Sequence, residues 1–143
     1  MFLEKVSMIT LIPLTDSFTI YQLNDYQKIP SQIFDSGFYS LTRTGDEISI
    51  VTNCDVNFKD LKSGGDWKGF KVEGILDLSL TGIINDITRP LKDHKISVFV
   101  ISTFNTDYIF VKSESFNKVI DIFRMSENIN IKDQESPCRP VIT

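Results

Sequence analysis

The chain has 143 residues, of which 41% are hydrophobic and 24% are charged. This composition predicts a folded globular protein with one ordinary core, or two small modules that share one, rather than a disordered chain. The formal net charge of −4 argues against nucleic-acid binding, which needs clustered Lys and Arg. Nothing after residue 14 approaches the ~18 apolar residues of a membrane span, so no membrane association is expected.

The cysteines and the N-terminus indicate the compartment. Cys54 and Cys138 are far apart and match no metal-ligand spacing, so free thiols in a reducing cytosol are expected. The apolar run from Val6 to Leu14 precedes Thr15-Asp16-Ser17, which is a poor cleavage site, so a buried strand is favoured over a signal peptide. We therefore expect a cytoplasmic protein without a metal or a cofactor.

The first half of the chain is predicted to consist mainly of strands. Two strands are separated by a turn at Thr15-Asp16-Ser17, and a hairpin turns at Gly45-Asp46 between alternating segments. A short helix and the linker Ser63-Gly64-Gly65-Asp66 follow. The predicted elements are strands Lys5 to Ile12, Phe18 to Leu23, Phe38 to Thr44 and Glu47 to Thr52, and a helix Asn57 to Lys62.

The second half begins with a strand, Phe70 to Leu76, and a polar turn, Asp77 to Gly82. Ile83, Ile84, Ile87 and Leu91 then recur at helical spacing, although Pro90 predicts either a kink or a separate last turn. The mostly apolar strand that follows is typical of a sheet centre. The remaining predicted elements are strands Ile96 to Thr103 and Asp107 to Lys112, a helix Glu114 to Met125, and a strand Asn128 to Lys132.

Each half contains a hairpin followed by a helix, which predicts an α+β fold of two ferredoxin-like modules laid side by side. Their sheets are antiparallel, their helices lie on one face, and the first module has reduced helices. We expect an N-terminal module over residues 1–65, a C-terminal module over 66–132 whose last strand can complete the first sheet, and a flexible tail over 133–143.

Four segments resemble the tandem ACT-domain proteins, which are related to the regulatory regions of aspartokinases and to the cytosolic arginine sensors. The resemblance covers roughly Val6 to Ile131, and its two central motifs are specific in combination. The segments are Phe38 to Val51, Trp67 to Gly74, Gly74 to Ile83 and Ile96 to Tyr108.

The resemblance implies a regulatory protein that binds a small amino acid between ACT modules, rather than a catalyst. It also implies a homodimer, because a site that needs four modules is incomplete in a chain with two, and a separate enzyme or signalling protein that receives the signal. The ligand-binding turn would comprise Asp77, Ser79, Thr81, Gly82 and Ile83. The wall of the same cleft would comprise Ser102, Thr103, Asn105 and Asp107.

The chemistry of these residues fits an amino acid. The helix start at Gly82 and Ile83 offers N–H donors to an α-carboxylate, and Asp77 or Asp107 can accept from an α-ammonium group. A charge at a helix start contributes at most ~2 kcal/mol, whereas millimolar binding needs about 4 kcal/mol. The turn alone is therefore insufficient, and a second wall is required.

Each of these residues also has a structural interpretation. Ser79 and Thr81 can simply cap the helix, Gly82 can serve helix–sheet packing, and Asp107 can be a turn or surface carboxylate. His94 is expected to be solvated. The aromatic residues of the second half are expected in the core and at interfaces, and these are Phe99, Phe104, Tyr108 and Phe110.

Other classes of function fit less well. No Ser–His–Asp or Cys–His–Asp arrangement is evident, and Glu73 and Asp77 would lie ~13 Å apart on a strand, beyond the ~6.5–9.5 Å of inverting glycosidases. Asp107 to Lys112 lacks the basic residue and Gly that open the aromatic strand of an RNA-recognition module. A ligand-free dimerisation or scaffold domain is the main alternative to the amino-acid sensor.

Overall fold

The structure is a computed structural model, and it describes residues 8–54, 62–73 and 82–137. In this part of the chain there are eight strands and two α-helices. The elements of the first half are β1 (Ile9–Leu23), β2 (Tyr39–Arg43), β3 (Ile48–Thr52) and β4 (Lys62–Ser63). Those of the second half are β5 (Trp67–Val72), α1 (Ile83–Asp93), β6 (Val98–Ser102), β7 (Asp107–Lys112), α2 (Phe116–Arg124) and β8 (Ile129–Ile131).

The strands form one sheet in the order β2-β3-β1-β5-β7-β6, and β4 and β8 pair with β1 outside this path. All pairs are antiparallel except β1 with β8. The predicted hairpins β2–β3 and β6–β7 are confirmed, with Ser40 opposite Val51 and Val100 opposite Ile109. The prediction of an α+β fold with antiparallel strands is therefore confirmed.

Strand β1 connects the two parts of the sheet. Its first residues pair with β5 and β8, and its last residues, from Thr19 to Leu23, pair with β3 and β4. The turn predicted at Thr15-Asp16-Ser17 is therefore wrong, because the chain continues as one strand with a register shift between Pro13 and Ser17. Proline lacks an N–H for the ladder, and the sheet accommodates it by this irregularity instead of ending.

Part of the segment predicted as a flexible tail is paired with β1. The N–H of Glu135 donates to the carbonyl of Pro13, and the N–H of Thr15 donates to the carbonyl of Glu135. These two bonds continue the alignment of β8 with β1 beyond Ile131. Residues 138–143 lie outside the described ranges.

The two helices pack on one face of the β5 side of the sheet. Ile87 and Leu91 of α1 are fully buried there, together with Val119 and Phe123 of α2. Helix α1 continues through Pro90 to Asp93, so the separate last turn that Pro90 suggested is not found. Both helices owe their placement to an apolar stripe at helical spacing.

The first half has short helical turns where the second half has α-helices. Within the described residues before position 55, the helical segments are two 3₁₀ turns, Tyr26–Lys28 and Ser31–Asp35. Ile33 of the second segment is fully buried against Leu23, Ile48 and Ile50. The expectation of reduced helices is confirmed here, while the helix predicted from Asn57 falls on residues outside the described ranges, apart from Lys62, which lies in β4.

An aromatic cluster fills the opposite face of the sheet between its two parts. The Phe110 ring stacks on Phe99 with centroids 4.8 Å apart and meets Phe18 edge-on at 5.1 Å. Tyr108 packs edge-on against Phe38 at 5.1 Å. Phe104 does not lie in the core, because it is 99% exposed at the tip of the β6–β7 hairpin, and its predicted position at an interface stays a prediction.

Among the described strands, β6 lies at the edge of the sheet and not at its centre, contrary to the prediction from its apolar sequence. Val98 and Val100 pack against the helix-side core, while Phe99 and Ile101 pack against the aromatic cluster. Both faces of β6 are therefore partly buried, which explains the apolar run without a second described strand beside it. No helix among the described residues is long and apolar enough to span a membrane.

Candidate ligand-binding site

One end of the sheet gathers three chain segments that the site prediction singled out. Ser102 at the end of β6 is opposite Asp107 at the start of β7, and Lys71 near the end of β5 is opposite Tyr108. Helix α1 is joined to the start of β6 by a short turn and runs back across the sheet. Its first residue, Ile83, is thereby placed at the same end as Ser102.

Gly82 forms the start of α1 in a left-handed conformation with φ of 85°. Gly82 has no side chain to cap the helix, and a Cβ added to it would meet no atom of the described residues within 4 Å. Its carbonyl accepts the first helical bond, from the N–H of Asp86 at 2.9 Å. Within the described residues, the N–H groups of Ile83 and Ile84 have no such acceptor, and N–H groups at a helix start are the kind of donor that binds an anion.

A buried threonine fixes the hairpin beside β5. The Thr106 hydroxyl donates to the Val72 carbonyl oxygen at 2.7 Å, and Thr106 is only 4% exposed. A buried carbonyl without a hydrogen-bond partner would lower the stability of the fold. This bond therefore holds the β6–β7 turn against the end of β5, the strand that precedes α1 in the chain. The sequence analysis missed Thr106, and its only visible signal was the Thr-x-x-Thr spacing of the turn.

Thr103 is used by the turn itself. Its hydroxyl donates to the Thr106 carbonyl at 3.0 Å and accepts from the Thr106 N–H at 3.2 Å. The Thr103 N–H also donates to the same carbonyl, at 2.8 Å. The hydroxyl proton and one of its two lone pairs are therefore used within the turn, and Thr103 shapes the hairpin.

The other three residues of the predicted wall are open to solvent to different degrees. Ser102 and Asn105 are exposed, and Asp107 is half-buried. Ser102 and Asp107 face each other as cross-strand partners, so a hydroxyl and a carboxylate lie side by side at the sheet end. The remaining predicted site residues, Asp77, Ser79 and Thr81, lie outside the described residues.

Near this end of the sheet, the Tyr108 phenol has a shifted pKa. Burial raises the pKa of the Tyr108 phenol above 10.0, because desolvation disfavours the phenolate. Tyr108 faces the aromatic cluster rather than the helices. It therefore remains neutral and adds no charge near Asp107 at physiological pH.

Two family models match the chain. A model described as an ACT domain matches residues 62–124, and a model of an N-terminal domain matches residues 16–57. The first match covers β4 to α2, including α1 and the β6–β7 hairpin.

Curated relatives include the cytosolic arginine sensor for mTORC1 subunit 1. The Rattus norvegicus sensor is 32% identical over 105 residues, which cover 67% of this chain and 32% of the sensor. The chain spans about a third or less of the length of the curated relatives it matches, down to 29% for the Bos taurus sensor.

Two solved structures share most of the fold. The crystal structure of protein Atu0741 from Agobacterium tumefaciens has a TM-score of 0.79 and 32% identity, covering 90% of this chain and 95% of that one. An aspartate kinase from Clostridium acetobutylicum has a TM-score of 0.60, covering 87% of this chain and 36% of the kinase, and its 14% identity shows a common fold alone. The chain therefore belongs to the same family as the Agobacterium protein and is an ACT-domain protein, related to the cytosolic arginine sensors and similar in fold to part of an aspartate kinase.

Proposed function

We propose that this protein is a non-catalytic, cytoplasmic regulatory protein that binds a small amino acid or a similar metabolite at an interface of its ACT domain. The observation that carries the proposal is the start of α1 at Gly82, whose first N–H groups have no acceptor within the described residues. This helix start is placed at the sheet end where Thr106 fixes the β6–β7 hairpin. The similarity to proteins named as arginine sensors supports an amino acid as the class of ligand.

The charges of an amino acid fit the two sides of this sheet end. The N–H groups of Ile83 and Gly82 are the proposed donors to the α-carboxylate, and Asp107 is the proposed acceptor for the α-ammonium group. Ser102 and Asn105 are exposed beside Asp107 and are proposed to contact the polar atoms of the ligand. Asp77, Ser79 and Thr81 remain proposed residues of the turn before α1.

A second wall is required to retain the ligand. A partly buried charge at a helix start contributes up to ~2 kcal/mol, about half of the roughly 4 kcal/mol that millimolar binding needs. We propose that a second copy of the chain supplies this wall in a homodimer and that a separate enzyme or signalling protein receives the signal. Within one chain, the proposed modules are residues 1–65 and 66–132, joined through β1.

A thermal-shift screen with the twenty amino acids tests the proposal. A ligand present at 100 times its dissociation constant adds about 2.7 kcal/mol to the free energy of unfolding, which raises Tm by roughly 5–15 °C for a chain of this size. The variant Asp107→Asn should lose most of the shift. The matched variant Asp46→Asn, in the exposed β2–β3 turn, should keep it.

A ligand-free dimerisation domain is the second candidate, because β6 presents an apolar strand at the edge of the sheet. Copies paired through such edges would form a stable dimer without a metabolite. A dimer in sedimentation velocity together with no shift from any amino acid would favour this function. If an amino acid raises Tm and Asp107→Asn abolishes this increase, ligand-free dimerisation is excluded as the full function of the protein.

A further inference from the structure

The outer edge of β2 is open among the described strands. β2 pairs with β3 alone, and the register between the two strands runs from Tyr39 to Arg43 without a shift. Proteins usually block an exposed edge with a proline, a bulge or several charges. β2 has no proline and no bulge, and Arg43 at its end is its one charged residue. This edge can therefore accept another strand.

The backbone groups that point to this edge belong to alternate residues of β2. The Asn53 N–H donates to the Phe38 carbonyl, and the Thr44 N–H donates to the Glu47 carbonyl. Because the bonded residues alternate along an antiparallel ladder, the even-numbered residues from 38 to 44 are the ones that face β3. The residues of β2 whose N–H and C=O groups point outwards are Tyr39, Leu41 and Arg43.

An exposed apolar surface lies along the same edge. The Phe34 ring packs edge-on against Tyr39 with centroids 5.4 Å apart, and the Arg43 guanidinium lies 4.8 Å from the centroid of the Tyr26 ring. Leu41 lies between Tyr39 and Arg43 on the same face of the strand. We call these five residues the β2 patch. It holds four of the seven large hydrophobic side chains that are exposed among the described residues, and such a concentration marks an interaction surface.

The sequence of β2 fits a second copy of itself. In an antiparallel pair that places Leu41 opposite Leu41 of the second copy, Tyr39 of each copy lies opposite Arg43 of the other. An arginine beside a tyrosine ring is favourable, and the two leucines make an apolar contact. The same register aligns residues whose backbone groups all point outwards, so each of these pairs can form hydrogen bonds.

We propose that β2 pairs antiparallel with β2 of a second copy of the chain, around a two-fold axis at Leu41. The sheets of the two copies then form one continuous sheet. A two-fold interface uses the same surface on both subunits and closes on itself. The β2 patch is therefore covered without any other protein.

The charges near β2 are compatible with this pairing. A group of carboxylates lies at the Arg43 end of the strand, where Arg43 and Lys28 offset part of its charge. Two-fold symmetry separates the two groups by at least about 14 Å along the strands, which exceeds the Debye length of about 8 Å at physiological salt. Arg43 of each copy instead approaches the Tyr39 end of the other, where Asp35 follows Phe34. The carboxylates at the Arg43 end are Asp25, Asp46 and Glu47.

This contact does not depend on the proposed amino-acid site. β2 and β6 are the two outer strands of the sheet path, with four strands between them. The start of α1 and the β6–β7 hairpin lie on the part of the sheet formed by β5, β7 and β6, so a copy bound at β2 does not wall that site. The second wall of the amino-acid site would come from a different contact between copies.

Sedimentation velocity of the full chain without amino acids, at about 100 μM, tests the proposal. Leu41→Glu and Leu41→Lys each place two like charges opposite each other, so each should weaken the association at least about tenfold and halve the sedimenting mass. An equimolar mixture of the two variants should restore the mass of the wild type, because opposite charges then meet at the axis. Met125→Glu also replaces an exposed apolar residue and should leave the mass unchanged. Circular dichroism checks that each variant is folded.

Three results would overturn the proposal. The first is a monomeric wild type, and the second is an unchanged mass for both Leu41 variants. The third is a loss of mass that the mixture does not restore, which would assign the β2 patch to a contact other than the two-fold pairing. A failed amino-acid screen has no bearing on these masses, so failure of the proposed sensor function is distinguishable from failure of this contact.

Discussion

The Thr106 hydroxyl and the Val72 carbonyl oxygen are joined by a 2.7 Å hydrogen bond in the core, where both residues are at most 4% exposed. This bond connects the β6–β7 turn to the end of β5. The start of α1 lies at the same end of the sheet, and β5 is the strand that precedes α1 in the chain. The bond therefore fixes the hairpin wall of the proposed ligand site relative to β5, and β5 leads to the helix wall.

Replacing Thr106 by valine should lower the free energy of unfolding by about 1–3 kcal/mol, because the buried Val72 carbonyl loses its donor. Urea denaturation measures the difference. Thr106→Ser keeps the hydroxyl and should retain more of the stability. If Thr106→Val matches the wild type, the bond does not hold the hairpin.

Replacing Lys95 by glycine should stabilise the fold. The left-handed conformation costs a lysine about 1–2 kcal/mol, whereas glycine loses roughly 0.5–1 kcal/mol more backbone entropy on folding. A net gain of about 0.5–1 kcal/mol should appear in urea denaturation. Lys92→Gly, inside α1, is the control and should destabilise. A loss of stability in Lys95→Gly would contradict the assigned turn.

Replacing Gly69 by alanine should destabilise the protein by about 1–3 kcal/mol, as overpacking does. A Cβ at this position would lie 3.0 Å from Phe110 Cε1 and 3.2 Å from Leu14 Cδ1, and both side chains are buried. Gly45→Ala is the matched control, because an added Cβ there meets nothing within 4 Å. Equal stabilities of the two variants would show that the aromatic cluster accommodates the added methyl group at no cost, contrary to the prediction.

The raised pKa of Tyr108 predicts a loss of stability at alkaline pH. Below pH 10.0, the ordinary pKa of the phenol, both the folded and the unfolded chain keep its proton. As the pH rises from there to the folded pKa, the unfolded chain binds fewer protons, so the free energy of unfolding falls. Tyr108→Phe should flatten this decline in urea denaturation and remove one phenol that titrates above pH 10.0 in an ultraviolet titration. An unchanged titration would contradict the assigned burial.

Local patterns in the sequence were sufficient for most elements of the second half. The apolar spacing of Ile87 and Leu91 predicted α1, and that of Val119 and Phe123 predicted α2, because each helix buries one stripe. The β2–β3 hairpin followed from alternation around Gly45-Asp46. These features depend on residues that are close in sequence, and the resemblance to ACT-domain proteins agreed with them.

Features that depend on distant pairing were not predictable in the same way. The strand β1 continues past Pro13 because β5 and Glu135 pair on either side of it. The edge position of β6 was missed because an apolar sequence predicts that the two faces of a strand are buried, but it does not predict how many strands pair with it. Thr106 was missed for a similar reason, since its partner Val72 is far away in the sequence.

A crystal structure of the protein grown with a pool of amino acids tests the central claim most directly. The account predicts electron density for an amino acid whose carboxylate lies about 3 Å from the N–H groups of Gly82 and Ile83, with a second wall from a neighbouring subunit. If the protein's own side chains fill that space in both the monomer and the assembly, the amino-acid sensor is contradicted and a scaffold function remains.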